Sequence, residues 1–264
     1  MQAHRSPHSV ESFAALGDSF TEGLEDQDSA GHYRGWADRF AALLSDHNPS
    51  VRYANLAIRG KRLGEVVAEQ VPHVIEMAPD LVSIAAGGND ILRRGADPDA
   101  LAAIFDGAVT GLRAAGCEVV VFTGFDTQQF PVLRLLRGKI ATYNAHLREI
   151  ADRRQCHLAD LWSMGPLRDR RAWSPDRLHM SPDGHRRVAL LVAEVLGVPV
   201  SGNWRDRWPP SVTAHWLTMR REDVQWARRH AVSWISRRLR GVSSGDGLQP
   251  KRPGLLPLQP ENVM

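Results

Sequence analysis

Short apolar segments that alternate with amphipathic segments are the feature that most constrains the fold of this chain. Strands that alternate with helices form parallel sheets covered on both faces, so the pattern predicts an α/β domain. Five segments have the near-continuous hydrophobicity of buried strands: 12–19, 51–58, 81–90, 118–125 and 156–162. Segments with helical spacing follow them: 36–45, 63–77, 98–116, 139–154 and 182–197.

Length and composition suit one soluble domain with an appendage. The chain has 264 residues; we assign 1–11 to an N-terminal arm and 12–197 to the domain. We assign 198–264 to a basic, Trp-rich linker, helix and irregular tail. No apolar run approaches the ~20 residues of a membrane span, and the N-terminus lacks a secretory h-region, so we expect a cytoplasmic protein. Two isolated cysteines predict reduced thiols.

Polar residues and a glycine follow four of the predicted strands. Ser19 follows the first strand, Gly60 the second and Asn89 the third, and the loop after the fifth contains Asp176 and His179. Parallel sheets place their sites outside the carboxyl ends of the strands, so these residues should converge. Acyl transfer requires a serine that an imidazole and a carboxylate activate, and it requires N–H donors for an oxyanion.

The stretch "SPDRLHMSPDGH" contains two candidate acid–base pairs. Ser181 predicts the N-cap of the last helix, because serine favours that position and proline follows it. Asp183 and His185 then fall in the first turn of this helix. The helix dipole explains the aspartate, and we predict an exposed helical position for His185. Asp176 and His179 precede the cap, so we predict them as the acid and the base.

The segments "GDSFTEG", "NLAIRGK", "GGND" and "DRLH" resemble, in order, the four blocks of the SGNH/GDSL hydrolase family. Each segment alone is weak evidence, whereas four in order, each after a predicted strand, are specific. The resemblance covers residues 12 to about 197. One departure is Phe20, where the family name has leucine. The sequence around the serine also lacks the second glycine of the G-x-S-x-G elbow of α/β-hydrolases.

This resemblance implies a flavodoxin-like three-layer α/β/α sandwich with about five parallel strands in the order 2-1-3-4-5. It implies a serine esterase that acts on a small-molecule ester without a metal or a cofactor. In that family's scheme Ser19 is the nucleophile and an oxyanion donor, Gly60 and Asn89 are further donors, and Asp176 and His179 complete the triad. The ester itself is left open among acetylated carbohydrates, short acyl esters, thioesters and lysophospholipids, and so is the oligomeric state.

Two other functions are compatible with the residues alone. A flavodoxin-like small-molecule-binding module would use the same edge of the sheet, although "GDSFTEG" matches neither phosphate-binding glycine motif. An adaptor would bind nucleic acid or anionic membrane through residues 203–264, which contain eleven Arg or Lys and five Asp or Glu. Residues 213–240 predict a helix with one apolar stripe. The stripe is narrow and rich in alanine, which favours docking on the domain over either partner.

Overall fold

A six-stranded sheet forms the centre of the computed structural model, which describes residues 10–130, 133–210 and 244–258. The strand order is β5-β4-β3-β1-β2-β6; the first five strands are parallel and β6 is antiparallel to β2. The predicted order 2-1-3-4-5 is therefore confirmed, with one strand added. The strands are β1 (Ser12–Gly17), β2 (Arg52–Asn55), β3 (Leu81–Ala85), β4 (Glu118–Phe122), β5 (His157–Ala159) and β6 (Arg252–Pro257).

Helices cover both faces of the sheet. The α-helices are α1 (Ser19–Glu22), α2 (Gly35–His47), α3 (Leu63–Glu65), α4 (Val71–Met77), α5 (Gly88–Ile91), α6 (Pro98–Ala114), α7 (Arg137–Arg153) and α8 (Pro182–Val195). Short 3-10 turns lie at Leu133–Leu136, Gly165–Arg168 and Arg170–Ala172. None of the helices in the described part of the chain is long and apolar enough to cross a membrane.

The helical segment predicted for 63–77 changes helix type before Pro72. A π-helical turn, Val66–Gln70, separates α3 from α4, and Pro72 lies in the first turn of α4. Proline has no N–H to donate and its ring collides with the carbonyl four residues earlier. The wider π turn accommodates both effects, so the chain continues in the same direction without a loop.

Alternating side chains of the strands build two apolar layers. Phe13 and Ala15 of β1 belong to the layer that includes α2 and α8, while Ala14 and Leu16 belong to the layer that includes α6 and α7. This two-residue period places helices on both sides of each parallel strand. The three-layer α/β/α sandwich follows, with the carboxyl ends of all five parallel strands along one edge of the sheet.

The prediction of an irregular C-terminal tail is wrong for residues 252–257, which form β6. Without β6, β2 would be an edge strand with unpaired backbone groups. Leu256 pairs with Tyr53, and the Arg252 side chain donates to the Tyr53 carbonyl oxygen at 2.7 Å. Pro253 and Pro257 suggested irregular backbone, but an edge strand tolerates proline because one side of it needs no N–H donors.

The prediction of a linker after residue 198 is also wrong up to residue 210, because this stretch packs on α8. Arg187 is 3% exposed and donates to the carbonyl oxygens of Trp204 and Asp206 at 2.9 and 2.7 Å. Its guanidinium lies 4.2 Å from the ring centroid of Trp208, whose Nε1–H donates to the Pro166 carbonyl. The tryptophans therefore anchor the stretch. The predicted helix 213–240 lies outside the described residues.

Arg187→Ala should destabilise the protein by roughly 3 kcal/mol, because it removes a buried guanidinium and leaves two backbone carbonyls without their donor. Arg186→Ala is the matched control: Arg186 pairs with the same Asp183, but its side chain is 44% exposed. We expect Arg186→Ala to lower the free energy of unfolding by less than about 1 kcal/mol. Urea denaturation measures both variants, and equal losses would contradict the anchoring role of Arg187.

Candidate active site

A sharp turn between β1 and α1 places Ser19 at the carboxyl end of the central strand. Gly17 has φ +148°, and a Cβ there would lie 2.5 Å from the carbonyl oxygen of Ala85 on β3. Only glycine fits this contact. Asp18 caps α1 because its carboxylate accepts the Phe20 N–H at 3.1 Å. Ser19 is therefore the first residue of α1, at the strand end that usually carries sites in parallel sheets.

His179 and Asp176 form a short hydrogen bond on the loop before α8. His179 Nδ1 lies 2.6 Å from Asp176 Oδ2. A carboxylate only accepts, so Nδ1 carries the hydrogen and Nε2 keeps its lone pair. The other oxygen, Oδ1, accepts the backbone N–H groups of Leu178 and His179 at 2.9 and 3.0 Å and the Ser174 hydroxyl at 2.5 Å.

These contacts hold Asp176 in its charged form. Burial alone would raise the pKa of Asp176, but the hydrogen bond and charge of His179 oppose it, with help from the backbone and Ser174. The balance lowers the pKa of Asp176 well below its usual range. A carboxylate that stays ionised fixes the imidazole tautomer and can stabilise an imidazolium.

The prediction that His185 is exposed is wrong, because its side chain is only 1% exposed. Its Nδ1 accepts the Trp36 N–H at 3.2 Å, and its Nε2–H donates to the Leu24 carbonyl at 3.1 Å. Burial lowers the pKa of His185 to about 4. The ring is therefore neutral at pH 7 with both nitrogens engaged. The helix cap itself is confirmed, since the Ser181 side chain accepts the Gly184 N–H.

Asn89, in the short helix α5 after β3, connects two of the predicted segments. Its side-chain amide donates to Asp18 Oδ2 and to the Lys61 carbonyl oxygen, both at 3.0 Å. Gly60, next to Lys61, has φ +78°, a conformation that favours glycine. In the described part of the chain, the N–H groups of Ser19 and Gly60 have no hydrogen-bond acceptor. Both remain available as donors.

Asp18 and Glu22 are site residues to which the sequence analysis assigned no role. Burial raises the pKa of Asp18 to about 6, although the Phe20 N–H and the charge of His179 oppose the shift. Asp18 and His179 are therefore within electrostatic reach of each other. Glu22 is 7% exposed, and its carboxylate accepts the Arg59 N–H at 2.6 Å. An aspartate directly before a short helix is a recognisable cap signal; the Glu22–Arg59 pair had no local signal.

The structure thus brings the five predicted residues into two groups, three of them through their own hydrogen bonds and Ser19 and Gly60 through their chain neighbours. Asp176 bonds to His179, while Asn89 bonds to Asp18, the neighbour of Ser19, and to the neighbour of Gly60. No hydrogen bond joins the Ser19 hydroxyl to the His179 ring, and both residues belong to the part of the chain that the structure describes. Contacts between a nucleophile and its base often tighten only in the complex with substrate.

An aromatic cluster follows β4. Phe125 and Phe130 contact Trp173, with ring centroids 4.3 and 5.0 Å apart. Trp173 precedes Asp176 by three residues, so the cluster stands beside the His179 loop. The leucine of the family name is replaced by Phe20, which packs on Trp36 and Phe122 at 5.6 and 5.7 Å.

The parallel sheet, together with a family match over residues 15–187, identifies an ester hydrolase of the SGNH type. The sequence profile of the GDSL-like lipase/acylhydrolase family matches residues 15–187. The chain therefore belongs to that family, and the predicted resemblance is confirmed. None of the curated proteins is similar enough to this chain to count as a match.

Solved structures share the fold at low sequence identity. TesA is 22% identical with a TM-score of 0.59, over 70% of this chain and 97% of TesA. Axe2, an acetylxylan esterase from Geobacillus stearothermophilus, is 22% identical with a TM-score of 0.59, over 74% of this chain and 95% of Axe2. LAE5, an alpha/beta hydrolase enzyme from the metagenome of Lake Arreo, Spain, is 21% identical with a TM-score of 0.60, over 72% of this chain and 97% of LAE5.

Asp18→Asn should change how stability depends on pH. The folded-state pKa of about 6 lies above the ordinary 3.8, so the wild type loses stability as pH rises from about 4 to about 7. Asparagine does not titrate, so the variant does not lose this stability. Its free energy of unfolding should therefore rise by about 3 kcal/mol relative to that of the wild type across this range, since one pKa unit corresponds to about 1.4 kcal/mol. The titration of His185 cancels because both proteins contain it.

Urea denaturation of the two proteins at pH 4 and pH 7.5 measures this difference. A lost hydrogen bond from Asn89 shifts the variant equally at both pH values, so only the change with pH reports the buried carboxyl. A stability difference that does not change between the two pH values would contradict the buried, titrating Asp18.

Proposed function

We propose that this chain hydrolyses acyl or acetyl esters of a small molecule, with Ser19 as nucleophile, His179 as general base and Asp176 as its partner. The hydrogen bond of 2.6 Å between His179 and Asp176 carries the proposal. It leaves the Nε2 lone pair of His179 for a proton, and His179 is within electrostatic reach of Asp18, the neighbour of Ser19.

The first half of the reaction forms an acyl-enzyme. His179 Nε2 takes the Ser19 hydroxyl proton while the Ser19 oxygen attacks the ester carbonyl carbon. The carbonyl oxygen becomes an oxyanion, and the N–H groups of Ser19 and Gly60 donate to it. The intermediate then expels the alcohol, whose oxygen takes the proton from the imidazolium. Asp176 remains ionised throughout and stabilises the imidazolium.

The second half releases the acid. Water attacks the acyl carbon and gives a proton to His179, and the same donors stabilise the second oxyanion. Collapse of this intermediate returns the proton to Ser19 and frees the carboxylic acid. We assign Asn89 as the third donor. Its amide already donates to Asp18 and Lys61, so the oxyanion must replace one of these acceptors.

The substrate assignment rests on the family rather than on the loops around the site. Axe2 is described as an acetylxylan esterase, so an acetyl ester is the first substrate to test. We expect the aromatic cluster of Phe125, Phe130 and Trp173 to receive the apolar part of the substrate. The comparisons support neither the flavodoxin-like binding module nor the adaptor.

The remaining assignments also stay proposals. We keep residues 12–197 as the hydrolase domain and add the docked stretches 198–210 and 244–258 to its structure. A cytoplasmic location is consistent with Cys117 and Cys156, which are both free thiols. Binding of nucleic acid or membrane by residues 213–240 is outside the described residues.

Histidine variants test the proposal on p-nitrophenyl acetate. His179→Ala should lower kcat by at least about 10³-fold with little change in the free energy of unfolding, because it removes the base. His185→Ala should instead lower stability by roughly 2–4 kcal/mol, because it opens a cavity and leaves two backbone groups unpaired. Its kcat per folded molecule should remain within about 10-fold of wild type.

Ser19→Ala is the inactive reference for this experiment. Circular dichroism gives the folded fraction of each variant, so that lost stability is not read as lost chemistry. Retention of wild-type kcat by His179→Ala, or its loss only in His185→Ala, would show that the base has been misassigned.

A further inference from the structure

The peptide between Arg59 and Gly60, whose N–H is a proposed oxyanion donor, is held from its amino-terminal side by Glu22. The Glu22 carboxylate accepts the Arg59 backbone N–H at 2.6 Å and Arg59 Nε at 3.0 Å, and it also binds the terminal nitrogen of the guanidinium. Both side chains are largely buried, with 9% and 20% exposed. Because Glu22 ends α1, this pair fixes the 59–60 loop to the helix that starts at Ser19.

The carbonyl side of the same peptide is in contact with the C-terminal segment, residues 244–258. Gly245 is buried between exposed neighbours, and a Cβ on it would lie only 2.0 Å from the Arg59 carbonyl oxygen. It would also lie 2.9 Å from Ile58 Cγ2. Any side chain at position 245 would therefore collide with the Arg59 backbone and the Ile58 side chain.

Two further contacts fix the position of the C-terminal segment relative to the site. Lys251 Nζ lies 2.5–3.0 Å from four oxygens that share its three N–H donors: the carbonyl oxygens of Glu22, Tyr33 and Arg34 and Asp38 Oδ2. Beyond it, β6 pairs with β2. Since β2 leads directly into the 56–60 loop, the segment contacts this loop, the strand before it and the end of α1.

We propose that Gly245 and Glu22 are positioning residues for catalysis: together they set the orientation of the Arg59–Gly60 peptide and hence the direction of the Gly60 N–H. The C-terminal segment is then part of the catalytic apparatus. This inference rests on the proposed function, because it assigns the purpose of the Gly60 N–H. The carbonyl and the N–H of one planar peptide turn together, so a displaced Arg59 carbonyl redirects the Gly60 donor.

Gly245→Ala tests the inference, with Gly254→Ala as the matched control in the same segment. A Cβ at residue 254 meets nothing within 4 Å, and neither glycine has a positive φ. Gly245→Ala should lower kcat by about 10-fold to 100-fold at nearly unchanged KM, because an oxyanion donor acts only after the charge develops. Gly254→Ala should keep both constants.

Glu22→Gln is the second variant and keeps the inference falsifiable if Gly245→Ala does not fold. It retains the shape of the side chain but removes the charge that binds Arg59, so kcat should fall at least about 5-fold with KM unchanged. Glu149→Gln is its control, since Glu149 forms an exposed pair with Arg153. Equal losses in a variant and its control, or full kcat in the folded Gly245→Ala or Glu22→Gln protein, would overturn the inference.

A measurement without substrate separates this inference from the proposed function. In protein labelled with ¹⁵N-glycine, the Gly60 amide signal should shift in Gly245→Ala and in Glu22→Gln but not in either control. An unmoved Gly60 signal would overturn the positioning role even if the enzyme hydrolyses esters. A shifted signal in a protein that hydrolyses no ester would support the contact while contradicting the proposed function.

Discussion

The position of β1 between β2 and β3 in the parallel sheet is the constraint on which the site depends. β1 pairs with β2 on one side and with β3 on the other, and its last residue, Gly17, pairs with Ala85. At that point a side chain would collide with the neighbouring strand. The chain then turns directly into α1, and the turn places the half-buried Ser19 next to the ends of both neighbouring strands. Gly60 and Asn89 follow those two strands.

Buried polar contacts around α1 then keep the strand ends together. Asp18 caps the helix and accepts from Asn89, which in turn donates to the Lys61 carbonyl. At the other end of the helix, Glu22 binds Arg59. A buried polar group lowers the stability of the fold when it has no hydrogen-bond partner. Loss of any one of these residues would therefore leave its partners buried and unpaired. In this account, a four-residue helix holds the nucleophile and two of the donors in one arrangement.

Local patterns predicted the parts of the fold that local physics controls. The five parallel strands follow from hydrophobic runs, and the cap of α8 follows from Ser181 and Pro182. The hydrogen bond between Asp176 and His179 joins residues three apart on one turn, which the spacing indicated. The order of the strands followed from the family resemblance rather than from the pattern. All of these features depend on residues that are close in sequence or on motifs that occur in the order known for the family.

The features that were missed depend on contacts between distant residues. His185 was predicted to be exposed, although Val188, Ala189 and Val192 share its face of α8 at helical spacing and are buried. That spacing was the available signal. β6 pairs with a strand about 200 residues earlier, and the Glu22–Arg59 pair spans 37 residues. A proline-rich segment contains no local indication that it completes a sheet, so only the three-dimensional structure reveals it.

The most direct test of the central claim, that Ser19 is the nucleophile, is its covalent labelling by a fluorophosphonate. The reagent forms a stable adduct with an activated serine, and its tetrahedral phosphorus places an oxygen among the proposed oxyanion donors. Intact-mass spectrometry should show one adduct per chain, and peptide mapping should locate it on Ser19. An adduct on another residue, or an active enzyme that the reagent does not modify, would contradict the account.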